Sequence, residues 1–145
     1  MDFSLTLGDI LTVGALMVGI IGILWQIHEH NRQSKLTIFT IYTQRYQNIV
    51  INFPIEIEQD DFILDDHIAN DRMLLVWIRA YFDLCSEEFQ LHKDKLIDQH
   101  IWGLWDAGIQ NSFQKPAFKD AWKKIQKNNY YNAIFANYIE RLINK

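Results

Sequence analysis

Covalent cross-links and strand signals are both missing from this sequence of 145 residues. Its single cysteine, Cys85, cannot form an intramolecular disulfide, which excludes a disulfide framework and suits a reducing compartment. No alternating strand pattern, internal repeat or low-complexity linker is present, so repeat architectures and extended linkers are excluded. What remains is an all-α chain with material for one modest core.

Enzyme and metal motifs are also missing. The chain has no glycine-rich phosphate loop, no Gly-x-Ser-x-Gly elbow, no cysteine pair, and no arginine followed four to six residues later by histidine, a pair used by one helical class of nucleases. His28 and His30 are two residues apart and point to nearly opposite sides of a helix, so they cannot share one zinc ion. We therefore predict no catalytic residue, no metal site and no cofactor, and we place Cys85 in the core.

Charge of either sign is missing from Ile10 to Ile27, where the sequence reads ILTVGALMVGIIGILWQI. Eighteen helical residues, at about 1.5 Å each, cover most of the hydrocarbon of a bilayer, so we predict a transmembrane helix. Asp2 and Asp9 replace the basic start of a cleaved signal, and we expect the span to be retained. A buried helix of a soluble protein is the alternative. Because lysine and arginine occur only after the span, we expect the N-terminus outside and the C-terminal part in the cytoplasm.

The rest of the chain is predicted to be helices separated by short polar breaks. We divide it into residues 1–30, the transmembrane helix and its flanks, and residues 31–145, a cytoplasmic helical domain. The first soluble helix is predicted over Arg32–Phe53, either separate from the span or continuous with it, and Pro54 closes it. The acidic stretch 55–70 is predicted to be a loop with at most one helical turn. Later helices are predicted to start at Asn70, Asp98 and Pro116, with a break at Asn128–Asn129 before the last one.

Inside the span, small and weakly polar residues recur at alternating steps of four and three and so form one stripe: Gly8, Thr12, Ala15, Gly19, Gly22 and Gln26. In lipid, helices associate through small residues that let their backbones approach, so we predict that this stripe is an interface between copies or the lining of a pore. Chance alignment of glycines common in spans is the alternative. In an oligomer, His28 and Glu29 would form a ring at the cytoplasmic exit of such a pore.

Two charged stretches follow the span. The acidic one contains Glu56, Glu58, Asp60, Asp61, Asp65, Asp66 and Asp71, and it lacks the order of a calcium loop. The basic one supplies candidates for contact with lipid headgroups, namely Lys119, Lys123, Lys124 and Lys127, with a solvated helix face as the alternative. Residues 31–145 contain fourteen lysines and arginines against fifteen acids, so nucleic acid is not a predicted partner.

The middle of the chain carries a resemblance. Its residues are RAYFDLCSEEFQL at Arg79–Leu91, then Ile97-Asp98 before Ile101, Trp102, Trp105 and Ile109, then Pro116, Phe118 and Trp122. These resemble the soluble domain of small single-span bacterial proteins, and the layout is similar to that of the membrane-anchored accessory proteins of type VI-B CRISPR systems. The resemblance implies a helical cytoplasmic domain, a ring, and a pore in the bacterial inner membrane that supports phage defence. The arginine–histidine motif associated with that family is missing here, so RNA cleavage is not carried over.

We therefore predict an oligomeric, membrane-anchored helical protein that forms a pore or perturbs the membrane in phage defence. Its predicted partners are membrane lipid and further copies of itself. The alternative is a membrane-tethered interaction module that recruits a soluble protein partner through its aromatic-rich bundle.

Overall fold

A single long helix begins the part of the chain that the computed structural model describes, residues 6–127 and 130–144. This helix, α1, runs from Leu7 to Val50, so the apolar run and the amphipathic segment after it form one continuous element. Its first turn is capped reciprocally: the Thr6 hydroxyl donates to Asp9 Oδ2 at 2.7 Å, and the Asp9 N–H donates to Thr6 Oγ1 at 3.3 Å. The helix ends four residues before Pro54, slightly earlier than predicted.

The first part of α1 is apolar and exposed. Every residue from Thr6 to His28 is exposed, and the most apolar eighteen-residue window of the helix has no buried residue. The helix is long and apolar enough to cross a bilayer, and no protein core covers these side chains.

The chain divides into two units between Thr37 and Ile38. The second unit contains the end of α1, a 3-10 turn at Ile55–Glu58, and five helices: α2 (Leu64–Asn70), α3 (Met73–Lys93), α4 (Gln99–Gln114), α5 (Pro116–Gln126) and α6 (Ala133–Ile143). No strand occurs among residues 6–127 and 130–144, which confirms the predicted all-α class. The predicted break at Asn128–Asn129 lies outside the described residues.

Local chemistry explains where these helices begin. Asp98 Oδ1 accepts from the Ile101 N–H at 2.9 Å, and Asn132 Oδ1 accepts from the Phe135 N–H at 2.9 Å, so both residues are side-chain N-caps. Pro116 is the first residue of α5, as predicted. The start of α3 differs from the prediction: Asn70 ends α2, and Asp71 Oδ1 instead accepts from the Met73 N–H at 2.8 Å.

Two further differences concern length. The stretch predicted to be a loop contains the seven-residue α2, whose Leu64 is buried and whose Ile68 packs against the core. The polar residues Asn111 and Ser112 favour fraying of α4, but the helix continues to Gln114 because Phe113 is fully buried. In both cases, burial of an apolar side chain extends a helix beyond what the local sequence favours.

Aromatic rings fill the core of the second unit. Phe82 on α3, Phe113 on α4, Trp122 on α5 and Phe135 on α6 are each at most 1% exposed. Trp122 lies within 6 Å, centroid to centroid, of the rings of the other three. Since each helix from α3 to α6 contributes one of these rings, the cluster joins the four helices into one core.

Candidate functional site

The second unit contains a cavity of about 310 Å³ among α1, α3 and α4. Its lining residues are Phe39, Tyr42, Thr43 and Tyr46 from α1, Tyr81 and Glu88 from α3, and Leu104, Trp105, Gly108 and Ile109 from α4. Concave, mostly apolar spaces of this size with a few polar groups are typical of small-molecule sites. We therefore treat this space, called the Glu88 cavity below, as the candidate site.

Helical spacing brings these residues to the cavity. On α1 they recur at steps of three, one and three, on α3 they are seven residues apart, and on α4 they form two pairs one turn apart. Each of these spacings keeps side chains on a single helix face. The three helices thus present three aligned faces to one space.

Rings make up most of the cavity wall. Trp105 is nearly parallel to Phe39, with centroids 6.3 Å apart, and lies 5.4 Å from Tyr42. Tyr46 meets Tyr81 edge to face at 6.2 Å. The face of an aromatic ring carries partial negative charge, so each ring whose face borders the space favours a cationic group over an anionic one.

Glu88 is the buried polar side chain of this wall. It is 6% exposed, and it makes no hydrogen bond or ion pair with any residue in 6–127 or 130–144. Burial raises the pKa of Glu88 to about 8; the neighbouring Glu87 also raises it, whereas Arg45 lowers it. The carboxyl is therefore mostly protonated at neutral pH.

The nearest cation is committed to a different acid. Arg45 binds Glu87 in a bidentate pair, with Nη1–Oε2 and Nη2–Oε1 distances of 2.5 and 3.0 Å. The Tyr42 hydroxyl also donates to Glu87 Oε2, at 3.0 Å. The hydrogen bond from Arg45, and to a smaller extent that from Tyr42, lowers the pKa of the Glu87 carboxyl. This arrangement joins α1 to α3 and leaves Glu88 without a counter-ion.

Cys85 lies one helical turn from Glu88 and is fully buried. Burial raises the pKa of its thiol well above the ordinary value, so the reactive thiolate is disfavoured. The predicted place of Cys85 in the core is confirmed, and the geometry gives the thiol no role in the cavity.

The residues predicted for the membrane stripe lie along the exposed first part of α1. A β-carbon built on Gly19 or Gly22 would have no atom within 4 Å, so open space adjoins both glycines. The Thr12 hydroxyl donates to the Gly8 carbonyl at 2.8 Å, which satisfies its hydrogen bond within the helix. Ala15 is also exposed. The role of the stripe stays a prediction.

The two residues predicted for a pore exit differ in their surroundings. His28 is exposed, whereas Glu29 accepts from Arg32 Nη2 at 2.7 Å and from Gln33 Nε2 at 3.1 Å. The charge of Glu29 is therefore balanced within its own helix. An exit ring stays a prediction, and in it Arg32 would accompany Glu29.

The lysines predicted to contact headgroups are partly paired with acids of the same chain. Lys124 Nζ is 2.7 Å from Asp65 on α2, and Lys123 Nζ is 3.2 Å from Asp120. Lys119 is half-buried and Lys127 is exposed. The acidic stretch and the basic helix thus meet within one chain, and headgroup contact stays a prediction for all four lysines.

Side chains that could bind a metal ion are dispersed over residues 6–127 and 130–144. No three histidine, cysteine or acidic side chains come together there. Within the acidic stretch, Asp60 and Asp65 face lysines, at 3.9 and 2.7 Å.

The helical spacing that places Cys85 on the apolar face of α3 also places Glu88 there, and no sequence motif gives Glu88 a role. The available signal was the position itself, since a carboxylate on a buried face is costly unless it is paired or used. The cavity beside Glu88 is formed by three helices, so no short stretch of the sequence indicates it.

Neither a protein-family model, nor a curated protein, nor a solved structure matches this chain. The site must therefore be interpreted from its own chemistry.

Proposed function

We propose that this chain is a membrane-anchored, self-associating helical protein whose second unit is an interaction module. The observation that carries the proposal is the contrast between the two parts of the chain. The apolar segment from Ile10 to Ile27 is exposed throughout, whereas the second unit buries its own aromatic core. Lipid around this segment would remove the free-energy cost of exposing its apolar side chains to water. We further propose that the N-terminus lies outside a bacterial inner membrane and the module inside.

Self-association is supported by the space beside the glycines. Gly19 and Gly22 lie on one stripe, and their open surroundings would let a second helix approach closely. Close approach strengthens van der Waals contact, which drives helix association in lipid. Other faces carry bulky residues such as Leu11 and Ile21, which suit lipid contact.

We expect the double substitution Gly19→Leu, Gly22→Leu to reduce the oligomer to monomers, because leucine side chains would hold the helices apart. The measurement is the mass of the purified complex in detergent or lipid discs. The matched control is Gly14→Leu, which changes an equally exposed glycine away from the stripe. An oligomer of unchanged mass in the double variant, or a monomeric parent protein, would contradict self-association through the stripe.

Pore formation in phage defence is the second candidate function. The observation that favours it is Gln26, which continues the stripe and has no hydrogen-bond partner among residues 6–127 and 130–144. An amide at the end of the apolar run is better satisfied by a water-filled lumen or a neighbouring helix than by lipid. Depolarisation of expressing cells that is lost in the double leucine variant and kept in Gly14→Leu would favour the pore. Cells that express the parent protein, the double leucine variant or Gly14→Leu with no change in membrane potential would contradict pore formation. The interaction module would then be the favoured function.

A further inference from the structure

We infer that the Glu88 cavity binds a small organic ammonium compound with an apolar body. The inference rests on the proposed role of the second unit as an interaction module and names the ligand class of that module. It involves neither the span nor the stripe, so its failure can be told apart from a failure of membrane anchoring.

Charge complementarity selects the ligand. Glu88 is 6% exposed, lines the cavity and makes no hydrogen bond or ion pair in the part of the chain that the structure describes. The rings of Phe39, Tyr42 and Trp105 line the same cavity, and an aromatic face attracts a cation. An ammonium group would satisfy both the carboxylate and the rings, while its apolar body would replace water along the aromatic wall.

Other ligand charges fit less well. An anion would meet two neighbouring acids, and Arg45, the nearby cation, already holds Glu87 at two oxygens. A neutral compound could accept a hydrogen bond from protonated Glu88 but would form no ion pair. The cavity therefore favours a cation over an anion and a neutral analogue of equal size.

Binding also moves a proton. The free protein holds a proton on the Glu88 carboxyl at neutral pH, because burial raises its pKa to about 8. When an ammonium ion binds, the carboxyl releases this proton to the solvent and becomes the carboxylate of an ion pair. The charged or titratable groups around Glu88 are Arg45, Tyr42 and Tyr46 from α1, Tyr81, Cys85 and Glu87 from α3, and none among the cavity residues of α4.

The test uses the full chain in lipid discs and 3-phenylpropylammonium as the probe, with 3-phenylpropanol and 3-phenylpropanoate as neutral and anionic analogues. Binding is measured by calorimetry and by the change in tryptophan fluorescence, since Trp105 lines the cavity. We expect the ammonium to bind more tightly than both analogues. We expect Glu88→Gln to weaken it about 10- to 100-fold, the range for loss of a charged hydrogen bond.

Two glycines of α4 provide a matched pair of variants. A β-carbon on either Gly103 or Gly108 would have no atom within 4 Å, but only Gly108 lines the cavity. Gly108→Leu should fill the space and abolish binding, whereas Gly103→Leu should bind like the parent protein. Helical content by circular dichroism checks that both variants fold.

The pH dependence gives an independent measure. With a carboxyl pKa of about 8, affinity for the ammonium should rise about 50-fold from pH 6 to pH 8, as the carboxylate becomes available. The inference would be overturned by absence of saturable binding, by equal affinity for the three probes, by unchanged affinity in Glu88→Gln, or by a flat pH profile.

Discussion

Replacing Trp122 by alanine is expected to lower the free energy of unfolding of the second unit by about 3–5 kcal/mol. Trp122 is 1% exposed, and its ring stacks on Tyr131 with centroids 5.2 Å apart. Its indole Nε1 also donates to Glu140 Oε1 at 2.8 Å. The substitution therefore removes ring packing among four helices and leaves the Glu140 carboxylate without this donor. A loss of this size is a large fraction of the stability of an ordinary domain, about 5–15 kcal/mol.

The measurement is urea unfolding followed by circular dichroism. Trp122→Phe keeps a ring but removes the indole donor, so it should cost less than the alanine variant. Trp77→Ala, at a half-buried position on α3, should also cost less. If Trp122→Ala unfolds at nearly the same urea concentration as the parent, the packing described for this core is wrong.

Glu88→Gln is expected to raise the free energy of unfolding of the second unit above that of the parent by about 3–5 kcal/mol at pH 8. Near pH 4 the two free energies of unfolding should be nearly equal. The pKa of Glu88 is about 8 in the folded protein, against an ordinary value of 4.5. Between these pH values the folded state binds a proton that the unfolded state lacks, so the parent loses stability as pH rises. Glutamine has nearly the same shape and no proton to lose, which removes this dependence.

The measurement is the difference in unfolding free energy between variant and parent from pH 4 to pH 8. Glu87→Gln is the neighbouring control and should have the opposite sign, because Arg45 lowers the pKa of Glu87 in the folded state. Its effect should be below about 1 kcal/mol, since solvent reaches both side chains of this pair, which are 41% and 46% exposed. Parallel pH profiles for Glu88→Gln and the parent would show that Glu88 is not a buried, unpaired carboxyl.

Much of the fold could be predicted because its signals are local. The apolar run predicted a helix, the Asp98 cap and Pro116 marked helix starts, and the spacing of apolar residues identified buried faces such as that of Cys85. Each of these depends on a few neighbouring residues. The all-α class followed from their sum.

Pairing between helices could not be predicted in the same way. Periodicity identifies which face is buried but not which helix covers it. The spacing favours packing of Trp102 and Trp105 against the helix face that carries Trp77 and Tyr81. In the structure, Trp102 stacks on His92, with centroids 4.5 Å apart, and Trp105 packs on Phe39 and Tyr42.

The ion pairs and the cavity depend on the same long-range information. Arg45 and Glu87 are 42 residues apart, and their pairing is what leaves Glu88 without a cation. The sequence places Glu88 on the buried face of α3, but it does not show that the nearby arginine pairs with Glu87. The candidate site therefore became visible only when three helices were placed together.

Membrane fractionation tests the central claim, that residues 10–27 lie in lipid, most directly. The full chain should stay with membranes through washes with concentrated salt and alkaline carbonate, and detergent should release it. Met17→Lys with Val18→Lys should move it to the aqueous fraction, because each lysine at the centre of a span costs about 2.5–3.5 kcal/mol. Gln44→Lys with Gln47→Lys, at exposed positions later in α1, should leave it in the membrane. Recovery of the parent chain in the aqueous fraction without detergent would contradict the account.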